Sequence, residues 1–314
     1  MAKVLITGGA GFIGRHVVRQ FLSHGWQVVV LDVDEFGEPE LEHTADFSAI
    51  QGDINSKQDL REAMHTCDAV VHLAALVSVP QSIEEPEKTM AVNVDGTRHV
   101  LQCALEGDMS NVVVASSAAV YGSFPDMPLV ESTPIECLSP YAQSKASNEE
   151  DVVAFRKKGL NAIALRFFNI YGPGQRSDSS YASLIPIFVH AMKNRKHPTV
   201  HGSGEQTRDF VHVHDLAKAI YMMVARRKLY EYPVANVASE TQTSVLEVVR
   251  CINQGLKERT NMKAIVPLHG DVRQGDVMHS CGSAERIRSM INWKAEISFE
   301  KGIGSLLDSK EERR

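Results

Sequence analysis

Short apolar runs recur along the first half of the chain, each followed by a stretch with helical spacing. Val4-Leu5-Ile6, Val28-Val29-Val30-Leu31, Ala69-Val70-Val71-His72-Leu73, Val112-Val113-Val114-Ala115 and Ala162-Ile163-Ala164-Leu165 are continuous rather than alternating. Continuous runs of this length predict strands buried on both faces. Phe12 to Leu22, Ser56 to His65, Pro86 to Leu105 and Pro140 to Phe155 lie between them and read as helices. The alternation predicts a parallel sheet covered by helices on two sides. Right-handed crossovers make it a doubly wound, Rossmann-like α/β fold. After about Gly172 the rhythm loosens, and Pro173, Gly174, Pro186, Pro198, Gly202 and Gly204 punctuate shorter elements. This shift predicts a first domain over 1–172 and a smaller C-terminal α/β domain over 173–314, with part of 209–240 returning to the first.

Composition changes this picture little. The 314 residues are 43% hydrophobic and 23% charged, as in ordinary globular proteins. A formal net charge of −6 gives no basic face, so neither nucleic acid nor an anionic membrane surface is an expected partner. An anionic small ligand is still accommodated, because backbone N–H groups and one or two arginines suffice for a phosphate. The five cysteines, Cys67, Cys103, Cys137, Cys251 and Cys281, are scattered, odd in number and without a C-x-x-C pair. A disulfide framework and a structural zinc site are poor readings, and a reducing cytoplasm fits better. No signal peptide precedes the first strand, and no apolar run is long enough to span a bilayer.

Thr7-Gly8-Gly9-Ala10-Gly11-Phe12-Ile13-Gly14 joins the first strand to the first helix. Glycines at this spacing let the backbone close on a pyrophosphate, and the helix N-terminus offers N–H groups and a positive dipole end. Asp32 closes the second strand roughly 20 residues beyond, where a carboxylate can hold the adenosine ribose hydroxyls and repel a 2′-phosphate. NAD is therefore expected rather than NADP. Asp53, in Gly52-Asp53-Ile54, is either an adenine contact or a turn residue.

Tyr141 and Lys145 lie at i and i+4 on the helix that begins near Pro140, which places both on one face. An ammonium beside a phenol favours the phenolate, so a lowered tyrosine pKa is expected, and Tyr141 could then take a proton from a substrate hydroxyl. Ser116 and Ser117 fall just past the strand ending at Ala115, at the border of the ligand crevice. Either could hydrogen-bond a reacting oxygen or cap the next turn.

These segments occur in order with His72-Leu73-Ala74-Ala75, Asn93-x-x-Gly96-Thr97, Ser116-Ser117-Ala118-Ala119-Val120-Tyr121-Gly122, Arg166-Phe167-Phe168-Asn169-x-Tyr171-Gly172-Pro173 and Arg273-x-Gly275-Asp276. The set resembles the extended short-chain dehydrogenases, and within them the nucleotide-sugar 4-epimerases, over nearly the whole chain. The resemblance implies catalysis by Ser117, Tyr141 and Lys145. It implies NAD against Gly8, Gly11, Phe12, Ile13, Asp32, Asp53, Ile54, Leu73, Ala74, Ala75, Asn93, Ser116 and Phe168, with Tyr141 and Lys145 also touching it. It implies a sugar nucleotide against Ser78, Ser117, Tyr141, Asn169, Arg208, Arg273 and Ser280. Guanidinium forks at Arg208 and Arg273 suit a diphosphate. Uridine as the base comes from the resemblance alone.

Similar 4,6-dehydratases carry an Asp-Glu pair after the Ser/Thr, and related decarboxylases carry a Glu. Here those positions are Ala118 and Ala119, which cannot move a proton. The implied reaction is reversible oxidation at C4 through a 4-keto sugar, that is, epimerisation. Ser280 stands where a bulky tyrosine in similar epimerases restricts the site to plain hexoses. Serine there implies room for an N-acetyl group, so UDP-GlcNAc/UDP-GalNAc, with or without UDP-glucose/UDP-galactose, is the expected pair. A UDP-glucuronate 4-epimerase, another sugar-nucleotide oxidoreductase, and a non-catalytic NAD-binding regulator are the alternatives. The family's habit of pairing through two helices implies a homodimer, with Pro86–Leu105 and Pro140–Phe155 as the candidate helices. His212, His214 and Asp215 are read without a metal: Phe210 to Val213 as a strand and Asp215 as a helix cap.

Overall fold

The computed structural model describes residues 1–42, 44–177, 182–226, 228–272 and 277–309. The chain begins β1 (Lys3–Thr7), α1 (Phe12–Ser23), β2 (Gln27–Asp32), α2 (Pro39–Glu42), β3 (Phe47–Gln51), α3 (Lys57–Met64) and β4 (Ala69–His72). It continues α4 (Val79–Glu84), α5 (Pro86–Met90), α6 (Gly96–Glu106), β5 (Asn111–Ser117), α7 (Pro140–Lys157), β6 (Ala162–Phe167) and β7 (Asn169–Tyr171). Then come α8 (Leu184–Lys193), β8 (Thr199–His201), β9 (Thr207–Arg208), β10 (Phe210–His212), α9 (Val213–Ala225) and β11 (Val234–Val237). It ends β12 (Thr243–Ser244), α10 (Val245–Thr260), β13 (Leu268–Gly270), α11 (Glu285–Ile291) and α12 (Phe299–Asp308).

Among the described residues, seven parallel strands form one sheet in the order β11-β6-β5-β4-β1-β2-β3. The continuous apolar runs have the predicted cause. Val4 and Ile6 of β1 enter one core with Val28, Val71 and Ile163, while Leu5 enters the opposite core with Val29, Val70 and Val112. Every second residue thus changes face, and both faces are covered. Strand β11 and helix α9, from the later part of the chain, belong to this assembly: β11 pairs with β6, and α9 packs on α1. A separate core of Tyr171, Ile185, Phe188, Val200, Val248 and Ile303 sits under α8, α10 and α12.

Three details depart from the sequence expectations. β5 extends through Ser116 and Ser117, so the two serines end the strand rather than follow it. The helix from Pro86 contains a π-helical turn over Ala91–Asp95 between α5 and α6. Asp215 does not cap α9; the His212 ring does, accepting the His214 N–H. The Asp215 carboxylate instead accepts the N–H groups of Glu296 at 3.1 Å and Ile297 at 2.9 Å, which ties the segment before α12 to α9. No described helix is long and apolar enough to cross a membrane.

Candidate active site

Strand order reverses between β1 and β4, and the crevice opens at their carboxyl ends. The glycine turn is built for close approach. Gly8 sits at φ +72, and a Cβ there would meet the Ala74 nitrogen at 2.6 Å; one at Gly14 would meet the Gly8 oxygen at 2.2 Å. Asp32 accepts the Ala10 N–H at 2.9 Å and the Asp34 N–H at 3.1 Å, so its carboxylate is fixed at the edge of the turn.

The crevice widens into a cleft of about 970 Å³. Gly8, Phe12, Ile13, Leu73 and Phe168 line its turn side. Ser116, Ser117, Tyr141 and Lys145 line the middle, and Asn169, Arg208 and Ser280 the far side. A second cavity of about 480 Å³ adjoins it and shares Asn169, Ile170, Gln175, Ser183 and Arg208.

Helix α7 carries the middle group. Ser139 caps it by accepting the Ala142 N–H at 3.1 Å, Pro140 occupies its first position, and Ser82 accepts the Tyr141 N–H at 3.2 Å. The end of β5 is tied to successive turns of this helix. Lys145 Nζ donates to the Ala115 carbonyl at 2.9 Å, the Ser116 hydroxyl donates to Glu149 at 2.6 Å, and the Ser117 hydroxyl, which accepts the Ala119 N–H at 3.1 Å, stands beside the Tyr141 phenol. Lys145 Nζ lies 5.9 Å from the centroid of the Tyr141 ring.

The electrostatics correct one expectation. Burial pushes the Tyr141 phenol above its ordinary value, and the Ser117 hydrogen bond only partly opposes this. Lys145 does not reverse it: its Nζ donates to the Ala115 carbonyl, and burial pushes it down to about 8. The chain's own groups therefore raise the tyrosine pKa rather than lower it.

Several other expected contacts are engaged within the fold. Asn93 is fully buried; its amide accepts the Leu76 N–H at 2.8 Å and donates to the Leu76 carbonyl and Ser144. It braces the segment after β4 and does not line the cleft. The Ser116 hydroxyl likewise turns away, toward Glu149. Ser78 caps α4 through the Gln81 N–H at 3.1 Å, while its neighbours Val77 and Val79 line the cleft. Asp53 is an exposed turn residue accepting the Asn55 N–H, and Ile54 is a core residue packed beneath Gly96. Gly11 is the N-cap of α1, and Ala74 and Ala75 follow Leu73 at the half-buried edge. Arg273, Gly275 and Asp276 lie outside the described residues. Sequence reasoning missed the apolar rim of Val77, Val79, Ile83 and Leu138, and also Gln175 at the junction of the two cavities. The only signal was apolar residues left without a partner in helical or strand spacing.

Known proteins share this fold over nearly the whole chain. The model of the NAD-dependent epimerase/dehydratase family matches residues 4–238. A solved UDP-N-acetylglucosamine 4-epimerase from Methanobrevibacter ruminantium M1, in complex with UDP-N-acetylmuramic acid, is 33% identical. The match covers 98% of this chain and 97% of that one, with a TM-score of 0.88. The UDP-glucose 4-epimerase of Thermus thermophilus, solved with NAD, is 28% identical over 98% of each chain, with a TM-score of 0.84. A UDP-N-acetyl-alpha-D-glucosaminuronate decarboxylase from Bacillus cytotoxicus is 31% identical over 311 residues, covering 96% of this chain and 95% of its own.

Proposed function

The chain belongs to the NAD-dependent epimerase/dehydratase family, and from that premise we propose that it interconverts UDP-sugars differing at C4, with NAD as resident cofactor. The observation that carries the reading is the set of ties between the end of β5 and α7, which gathers Ser117, Tyr141 and Lys145 at one wall of the cleft. The cradle fits a dinucleotide: two glycines admit no Cβ, and open space lies beside them. Held by these residues, NAD would supply reversible hydride acceptance and a cationic ring whose charge would favour the phenolate.

The protons are the chain's task. Tyr141 removes one from the C4 hydroxyl and later gives it back, while Ser117 hydrogen-bonds the same oxygen. Lys145 orders the end of β5. Arg208 and Arg273 take the diphosphate, and Asn169 the adjoining sugar. Gly8, Phe12, Ile13, Asp32, Leu73 and Phe168 are the proposed cofactor contacts. Residues 1–172, joined by α9 and β11 from the stretch 209–240, form the cofactor half, and the rest of 173–314 the substrate half.

Ala118 and Ala119 follow Ser117 and cannot supply an extra acid or base, which favours epimerisation over the decarboxylation named for the Bacillus cytotoxicus relative. Ser280 lines the cleft with a short side chain, and the apolar rim of Val77, Val79, Ile83 and Leu138 offers contact to an acyl methyl. UDP-GlcNAc and UDP-GalNAc are therefore the proposed pair. The helical segment Pro86–Glu106 and α7 are the proposed surface of a homodimer. Five free cysteines, four of them buried, support a reducing cytoplasm.

The test is a panel of UDP-sugars given to purified protein without added NAD, with products resolved by stereochemistry. UDP-GlcNAc should yield UDP-GalNAc. Turnover of UDP-glucose and UDP-galactose alone would remove the N-acetyl claim, and consumption of added NAD would favour a net oxidoreductase.

A further inference from the structure

Glu38, nearly buried, holds two guanidinium groups. Arg15 Nη1 donates to Oε1 at 2.7 Å, and Arg19 Nη2 donates to Oε2 at 2.8 Å. Both arginines stand one turn apart on α1, the helix that the glycine turn opens. Arg15 also donates from Nε to the Ala10 carbonyl at 2.9 Å, while the Ala10 N–H goes to Asp32 at 2.9 Å. A single residue of the turn therefore separates a guanidinium from the carboxylate beside which the adenosine ribose is read. The Arg15 Nη2 atom is buried with no hydrogen-bond partner among the described residues, and the group covers the Phe36 ring at 5.1 Å.

Two arginines beside a ribose site are the usual equipment for a 2′-phosphate, since a guanidinium fork matches its oxygens. Here both forks are already turned to a carboxylate. A phosphate entering beside Asp32 would meet one negative charge directly and a second that has engaged the nearest cations. We propose that Glu38 is a cofactor-specificity residue: it denies Arg15 and Arg19 to a 2′-phosphate, so NAD is selected over NADP by two carboxylates rather than one. This rests on the reading that the dinucleotide lies along the glycine turn.

The experiment titrates NADH and NADPH by fluorescence into protein stripped of nucleotide, for wild type, Asp32→Asn, Glu38→Gln and the double variant. Asp32→Asn relieves repulsion only. The double variant should raise the NADPH-to-NADH affinity ratio by a further factor of about ten or more, the scale of one charge-assisted contact. Adding Arg15→Gln to it should cancel that increment. If Glu38→Gln does not fold, Glu38→Asp keeps the charge but shortens the reach, and a smaller rise in the same ratio is expected. Wild type that binds neither nucleotide would overturn the placement of the dinucleotide. Normal NADH binding with no increment from Glu38 substitution, or one that survives Arg15→Gln, would overturn the role of Glu38 alone.

Discussion

Ser116 donates its hydroxyl to Glu149 at 2.6 Å, and the same carboxylate receives Arg166 at 2.8 and 2.7 Å. Glu149 lies one turn beyond Lys145 on α7, and Arg166 lies on β6, so this buried cluster sets the register of the helix against two strands. Ser116→Ala should cost about 1–3 kcal/mol, the loss of a buried hydrogen bond to a charged group. Nucleotide retention should be unchanged, because the hydroxyl faces away from the cleft. Denaturant unfolding and the nucleotide content of the purified variant check both halves. Loss of bound NAD without loss of stability would return Ser116 to the cofactor site. Arg166→Met leaves Glu149 buried and uncompensated and should cost about 3–5 kcal/mol.

Tyr141→Phe removes the proton carrier that faces the cleft beside Ser117. Its kcat should fall by a factor of about 10²–10⁴, the range for losing a positioned acid–base group. UDP-sugar binding, measured by calorimetry, should stay within a few fold. Because burial already holds the phenol pKa up, Ser117→Ala should raise it further and move the rising limb of the kcat profile to higher pH. A variant of Tyr141 with wild-type turnover would end the mechanism.

The central strands were legible because burial on both faces leaves continuous apolar runs, as in Val4-Leu5-Ile6. β3 leaves no such run, since this edge strand buries Phe47 but exposes Ser48 and Ala49. β11 was not legible, because Asn236 interrupts its run. That residue is buried by donating to the Leu129 carbonyl and accepting the Tyr121 hydroxyl, a partnership no local pattern reveals. In the site, the i, i+4 spacing of Tyr141 and Lys145 on the helix after β5 predicted one shared face, and both residues line the cleft. Spacing could not tell that Asn93 braces Leu76, nor that neighbouring Ser116 and Ser117 face opposite ways; both follow from tertiary packing.

Lys145 gives a pH dependence of definite sign. Burial lowers it to about 8, so its ammonium is present below that pH and lost above it. A neutral Nζ still donates to the Ala115 carbonyl but no longer places a positive charge near the Tyr141 ring, so turnover should decline as pH rises through about 8. Stability runs the other way. The unfolded chain keeps this proton up to its ordinary value near 10.5, so stability should increase between about 8 and 10.5. Lys145→Met should lack both trends. Parallel rate and thermal-unfolding profiles separate them.

Acid should attack three histidines. Burial pushes His16 and His212 down to about 4 and His72 to about 3. His16 packs edge-on against His214, and His214 against His212, each pair with ring centroids 4.9 Å apart, so any charge gained there meets another imidazole. His72 has one permitted tautomer. Thr97 donates its hydroxyl to the Asn93 carbonyl at 2.6 Å and so accepts from His72 Nε2 at 2.9 Å. That leaves Nδ1 to accept the Thr7 hydroxyl at 2.7 Å, and Thr7 in turn accepts the Ala74 N–H at 3.4 Å. A proton on Nδ1 would break this chain beneath the glycine turn. Since these folded-state values lie below the ordinary 6.5, their contribution to stability is full above 6.5 and is lost as pH falls toward 4. Near pH 5, unfolding should take up about three protons at these sites. The slope of unfolding free energy against pH measures that uptake, and His72→Gln should lower it by about one. A slope unchanged by that substitution would mean His72 is already protonated in the folded protein, and the hydrogen-bond chain would then have to run in the other direction.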